Sequence, residues 1–193
     1  MLRRMLLAAP LVLAGCSLER PYAERRQWPL VARRSRVDQP RRGAPVLLVR
    51  GLRAGPGLDV RGLQSLQADG SIRTDYYEEW AAPPAEGVEE AVRGWLAASG
   101  LYSAVIASGS RVEADLVLEG ELTGMWTVPA TRQAHVAVGM TVLAQRPPAT
   151  RVVLQRRFTA EAPMAGTSAR EAVEAQTAAL AVVLAQVEAA LRS

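Results

Sequence analysis

The residues of this chain suited to covalent or acid–base chemistry are few: one cysteine, Cys16, one histidine, His135, and a row of acids, Glu113, Asp115, Glu119 and Glu121. A single cysteine excludes an intramolecular disulfide and any Cys-rich zinc site, and a single histidine excludes a His-based zinc cluster. His135 alternates with Ala134, Val136 and Val138, so it points away from the face those residues bury. Without a cysteine or a second histidine to partner it, His135 reads as a surface or interface residue rather than a catalytic base. The acids, spaced by two, form a row along a strand, whereas a hard cation needs oxygens that converge on it. They read as a solvated or partner-facing stripe, and no metal site is expected. Gly51-Leu-Arg-Ala-Gly-Pro-Gly57 lacks a following Lys-Ser/Thr and runs into strand patterning, so it is a turn rather than a phosphate loop.

The chemistry that spacing does favour is acylation of Cys16. Met1-Leu-Arg-Arg-Met5 is a short cationic start, and the apolar run from Met5 to Gly15 stops at the cysteine, which is the layout of a secretory signal. At 11 residues that run is too short for a transmembrane helix, which needs roughly 20. Leu13-Ala14-Gly15-Cys16 resembles the bacterial lipobox, in which the thiol is diacylated and the cysteine becomes the mature N-terminus. Small residues before the cysteine let the peptidase reach the backbone. The alternative is a core cysteine behind an ordinary signal peptide. The lipobox implies a covalent diacylglycerol and an N-acyl chain on Cys16, with no other cofactor expected. Each buried CH₂ contributes roughly 0.8 kcal/mol, so two or three chains hold a protein on a membrane without a spanning helix. Ser17 in place of Asp points to the periplasmic face of the outer membrane under the bacterial sorting rule.

The elements that must carry this anchor follow from composition. The chain has 193 residues, 49% apolar and 22% charged, which fits one soluble domain. All 23 basic residues are arginine, and the net charge is +4. A basic balance raises nucleic-acid or membrane partners, but the charge is unevenly divided. Residues 17–53 hold ten Arg against Glu19, Glu24 and Asp38, a balance of +7, while residues 54–193 hold eleven Arg against sixteen acids, a balance of −5. The export signal makes nucleic acid an unsuitable partner. The basic part is broken by Pro21, Pro29, Pro40 and Pro45 and reads as a tether with one short strand around Trp28 to Ala32. Arg25, Arg26, Arg33 and Arg34 either lean on anionic headgroups, at about 1 kcal/mol each, or form a solvated linker. The expected organisation is a signal peptide over 1–15, a lipidated N-terminus and Arg/Pro-rich tether over 16–44, and a single domain over 45–193.

Within that domain, Val46 to Val49 is a short strand, and Asp59 to Leu66 with Ser71 to Tyr77 form a hairpin closed by Asp69-Gly70. Pro83-Pro84-Ala85-Glu86 opens a helix whose stripe is Val88, Val92, Trp95 and Leu96 and whose stop is Gly100. Three long strands alternate with period two: one from Val112 through Leu118 and Leu122 to Trp126, one from Ala134 to Val142, and one from Val152 to Phe158. Turns fall at Pro129 to Thr131 and at Arg146-Pro147-Pro148. Ser168-Ala-Arg-Glu171 is a capping box for a last helix over Ser168 to Arg192, with Val173, Thr177, Leu180, Leu184, Val187 and Leu191 along one side. The expected fold is α+β, a mostly antiparallel sheet with two main helices packed on it in a single domain. Tyr76, Tyr77 and Trp80 either anchor an interface or pack at the strand-to-helix corner.

Taken in order, the lipobox, the strand Val46 to Val49, the hairpin, Tyr76-Tyr-Glu-Glu-Trp-Ala-Ala-Pro-Pro84 and the first helix resemble the ABC-type transport auxiliary lipoproteins, the Pqi-type outer-membrane lipoproteins that accompany MCE-domain lipid transporters. Leu96-Ala-Ala-Ser-Gly-Leu101-Tyr102 is similar to the family's exit from that helix, and Ala114-Asp115-Leu116 running into Leu118-Glu119-Gly120 is similar to its long strand. The resemblance implies a non-enzymatic subunit at the outer membrane, forming a homo-oligomeric ring. It would receive the tip of a periplasm-spanning MCE-domain protein whose inner-membrane permease and ATPase drive phospholipid or related cargo. An envelope assembly or scaffold lipoprotein, for example one supporting lipopolysaccharide insertion, is the alternative, because fold does not fix function.

Overall fold

A computed structural model describes residues 24–146 and 149–192. The elements in order are β1 (Arg26–Trp28), β2 (Val46–Ala54), β3 (Gly62–Leu66), β4 (Ile72–Trp80), α1 (Pro84–Ala97), β5 (Ala104–Ala107), β6 (Leu116–Val128), β7 (Gln133–Arg146), β8 (Ala149–Pro163) and α2 (Ala169–Arg192). The three long alternating segments form the antiparallel meander β6-β7-β8, because a connection of only a few residues is too short to return the chain for a parallel partner. The Asp69-Gly70 hairpin joins β3 and β4 as expected, with Gly70 at φ +84°.

The rest of the sheet corrects the expectation of a mostly antiparallel one. Four of the seven strand pairings are parallel: β1 with β4, β2 with β5, β2 with β6, and β3 with β6. The sheet is therefore mixed. Neighbours connected through α1 or a crossover loop rather than a hairpin come out parallel, and alternation within a strand carries no sign of its partner's direction. The 13 residues of β6 serve two partners in succession: β2 pairs with its first half, from Leu47↔Leu116 to Ala54↔Leu122, and β3 meets it at Ser65↔Thr127. β2 is also longer than expected. Gly51 to Ala54 continue the strand, so the turn is confined to Gly55-Pro56-Gly57.

Both helices pack on the sheet and touch each other. Pro84 stands in the first turn of α1, where its missing N–H costs nothing, and Val88, Val92, Trp95 and Leu96 are buried. In α2, Ser168 and Glu171 form the reciprocal cap: the Glu171 carboxylate accepts from the Ser168 N–H at 2.9 Å, and the Ser168 hydroxyl accepts from the Glu171 N–H at 3.3 Å. The Ser168 hydroxyl beside Glu171 holds its carboxyl below the usual glutamate range. Leu180, Val183, Leu184 and Val187 of α2 meet Leu118, Leu122, Val136, Val138 and Phe158 in one core.

Residues assigned to the tether are part of this domain. β1 pairs with β4, Ala32 is buried, and the Asp38 N–H donates to the Ala98 carbonyl at 2.9 Å. The strap from Pro29 to Pro45 crosses α1 and ends at β2, so the domain starts near Arg26 rather than at residue 45. The reason is local chemistry: Leu30 covers Gly87, where a Cβ would lie 3.1 Å from its Cδ2, and charge on the strap is neutralised by partners on the helices. Gly100 shows how tightly the strap is seated. It has φ +71°, and a Cβ there would lie 2.9 Å from both the Asp38 Cβ and the Gln39 carbonyl oxygen. Gly100→Ala is expected to cost about 1–2 kcal/mol for the left-handed backbone alone, and more for the clash. A urea denaturation midpoint equal to that of the parent would refute this account of the turn.

Candidate functional site

Cys16 and Leu13-Ala14-Gly15 lie outside the described residues. The residues expected to face a membrane or a partner divide into two groups. Arg25 and the tyrosines of β4 stay at the surface: the Arg25 guanidinium carbon lies 4.0 Å from the Tyr76 ring centroid, and Tyr76 and Tyr77 meet edge to face at 5.0 Å. Tyr76 is 66% and Tyr77 47% exposed. These positions follow from β4, where the last three residues run beside β1 and the tyrosines precede them on an open stretch of strand.

Of the others, Trp80 and Arg34 are committed to the fold. Trp80, an expected interface residue, is 2% exposed and belongs to the core, because it closes the corner between β4 and α1. Arg26 pairs with Glu78, and the same carboxylate accepts the Trp28 indole N–H at 2.7 Å. Arg33 is exposed. Arg34 is not: its side chain is 15% exposed and its guanidinium donates to Glu188 through Nε at 2.9 Å and Nη2 at 3.1 Å, and to Asp38 through Nη2 at 2.8 Å. Arg34 therefore holds the strap rather than a headgroup.

Glu188 is the centre of a buried polar cluster that sequence reasoning did not find. It also accepts from the Trp95 indole at 2.8 Å and from Arg192 Nη2 at 2.6 Å. Burial pushes its carboxyl pKa up, but hydrogen bonds from Arg34, Arg192 and Trp95 more than offset this, and the net shift is downward. Glu188 likewise pushes Arg34 up, and the Arg36 guanidinium holds Asp38 down. The signal was a charge on the buried side of α2: Glu188 follows Leu184 by four residues, so both face inward. Arg34, between Pro29 and Pro40 in a stretch without periodicity, gave no sign of being its partner.

On the sheet face away from the helices, β2 engages three of the four acids of the row. Glu119 pairs with Arg50, Glu121 pairs with Arg53, and Asp115 accepts the Val46 N–H at 2.8 Å. The two ion pairs line an open groove of about 760 Å³ together with Gly139 and Arg157. Val112, expected to open this strand, is 56% exposed, because β6 begins only at Leu116. His135 lies on the outward face as expected, stacked on Trp126 at 4.8 Å with Nδ1 3.6 Å from the Glu161 carboxylate. Trp126, expected on the core face, is displaced by a bulge between Leu122 and Gly124 that shifts the alternation, so Met125 enters the core instead. Among the described residues no group of three or more His, Cys, Asp or Glu is placed to hold a metal ion.

The family model for the ABC-type transport auxiliary lipoprotein component matches residues 29–188. The chain is also similar to solved structures. Protein XCC0632 from Xanthomonas campestris is 24% identical, with a TM-score of 0.67 over 84% of this chain and 94% of that one. An uncharacterized protein is 14% identical, with a TM-score of 0.61 over 80% and 94%. The hypothetical protein CT253 from Chlamydia trachomatis is 10% identical, with a TM-score of 0.52 over 77% and 98%. At these identities the likeness shows a shared fold. No protein of curated function matches the chain. With a match that starts in the strap, spans α1 and strands β2 to β8, and ends within α2 at Glu188, this chain belongs to the ABC-type transport auxiliary lipoprotein family.

Proposed function

We propose that this protein is a non-catalytic, outer-membrane-anchored subunit of an ABC-type system that moves phospholipid or related hydrophobic cargo between the inner and outer membranes. In this reading Cys16 carries the acyl chains, the domain stands in the periplasm, and its partner is an MCE-domain protein served by an inner-membrane permease and ATPase. The observation that carries the reading is the family match over residues 29–188, downstream of Leu13-Ala14-Gly15-Cys16. Two features support a non-catalytic role. His135 is taken up by Trp126 and Glu161, and Glu119 and Glu121 are taken up by Arg50 and Arg53. The charged groove on the outward sheet face is the kind of polar, open surface that suits a protein partner more than an apolar cargo.

Affinity capture of the acylated protein from detergent-solubilised membranes tests the assignment. Recovery of an MCE-domain protein together with a permease and an ATPase is the expected outcome, and recovery of only unrelated envelope proteins would overturn it. The same preparation tests the proposed homo-oligomeric ring. Light scattering is expected to give a mass several times that of one chain, and a monomer would exclude the ring.

A further inference from the structure

We infer that Arg25, Tyr76 and Tyr77 form a bilayer-contact site that seats the domain against the membrane holding its own acyl anchor. Three observations converge on it. Tyr76 and Tyr77 are adjacent on β4, meet edge to face, and are 66% and 47% exposed, an unusual expenditure of aromatic surface in a chain with only 5% aromatic residues. Arg25 stacks on Tyr76 at 4.0 Å, which places a cation against the outer ring. Finally, Arg25 follows Cys16 by only nine positions in the chain.

The last observation fixes the occupant. Glu24 is eight positions after Cys16, and a chain covers at most roughly 3.3–3.6 Å per residue, so the anchored end lies within about 30 Å of the cluster. Among the described residues no other exposed aromatic pair is present. Tyrosine is amphipathic and sits at the headgroup level of bilayers. Arginine beside an anionic leaflet adds electrostatic attraction. A tethered domain pays little further entropy to settle on a surface it already occupies, because the acyl chains raise its effective concentration there.

Arg34, on the strap, is held by Glu188 and does not contribute, and Arg26 of β1, though exposed, shares its charge with Glu78. The site is thus narrower than the arginine-rich composition implies. It also orients the molecule: the β1-β4 edge faces lipid, while β8, separated from β4 by β3, β6 and β7, and the groove at Gly139 face the periplasm. The inference rests on the reading of Cys16 as an acylated anchor.

The test uses the full acylated protein reconstituted in vesicles of phosphatidylethanolamine and phosphatidylglycerol. Acylation consumes the Cys16 thiol, the only one in the chain, so Tyr77→Cys introduces a single labelling site for an environment-sensitive fluorophore. Val153→Cys on β8, 51% exposed, is the control. Lipids carrying a quencher at headgroup depth are expected to lower the emission of the label at 77 about twofold, as for a side chain in the interfacial layer, and to leave the label at 153 unchanged. Equal emission at both positions would overturn the contact while leaving the anchor intact. A label at 77 shielded from an aqueous quencher but untouched by the lipid-borne one would assign the tyrosines to a protein contact, also against the proposal. Mass spectrometry of the same sample separates the two readings, since a mature chain without acyl groups would overturn both.

Discussion

A Cys16→Ala variant is expected to lose palmitate labelling completely and to disappear from the outer-membrane fraction. The size of the effect follows from how membrane attachment is divided. Acyl chains contribute roughly 0.8 kcal/mol per buried CH₂, so two or three of them contribute tens of kcal/mol in transfer terms. The remaining attachment is small by comparison. Arg26 and Arg34 are bound to carboxylates of the fold, and an arginine that does reach the surface is worth about 1 kcal/mol. Electrostatics and two tyrosines therefore give an interaction that salt and dilution reverse, not one that survives fractionation. The variant also keeps the 11-residue apolar run ahead of position 16, so unprocessed precursor is expected with the inner membrane. Outer-membrane recovery of an unlabelled variant would show that something other than Cys16 holds the protein there.

The residues that carry local information were readable, and those that act through distant partners were not. Period-two alternation located β6, β7 and β8, Pro84 and the Ser168-Glu171 box located both helix starts, and Asp69-Gly70 located the hairpin. These are consequences of backbone geometry within a few residues. Parallel pairing is different. β2 reads the same whether its neighbours β5 and β6 run with it or against it, so direction had to come from the chain's path. The bulge after Leu122 was equally hidden, because one inserted residue leaves hydrophobicity unchanged while exchanging Trp126 for Met125 in the core. The four residues of β5, Ala104–Ala107, are too few to show a period at all. For the site, composition gave a basic strap but not its use: Arg25 and Arg34 look alike in sequence, and only the fold sends one to Tyr76 and the other to Glu188.

That second destination makes Glu188 the residue whose loss should cost the fold most. Its side chain is 10% exposed and accepts from Arg34, Trp95 and Arg192, and the Arg34 side chain is 15% exposed. Replacing it with alanine leaves a guanidinium and an indole N–H with little water to turn to. Removing one partner of a buried pair typically costs about 3–5 kcal/mol, a large share of a domain's stability, so Glu188→Ala is expected to lower the urea midpoint sharply. Glu188→Gln, which still accepts hydrogen bonds, should lose less. The pH dependence has a definite sign. Because the folded carboxyl titrates below the ordinary glutamate value of 4.5, its stabilisation is complete above that pH and is lost as pH falls through the lowered folded value. Asp38, also lowered, contributes in the same direction. Acid sensitivity in Glu188→Gln should therefore shrink without vanishing. Trypsin supplies a local readout, since Arg33, Arg34 and Arg36 lie on the strap that Glu188 ties down. Cleavage there should accelerate in Glu188→Ala under conditions where the meander stays folded. If cleavage at the strap and global unfolding slow and quicken together in every variant, the strap is no separate latch but part of one cooperative unit.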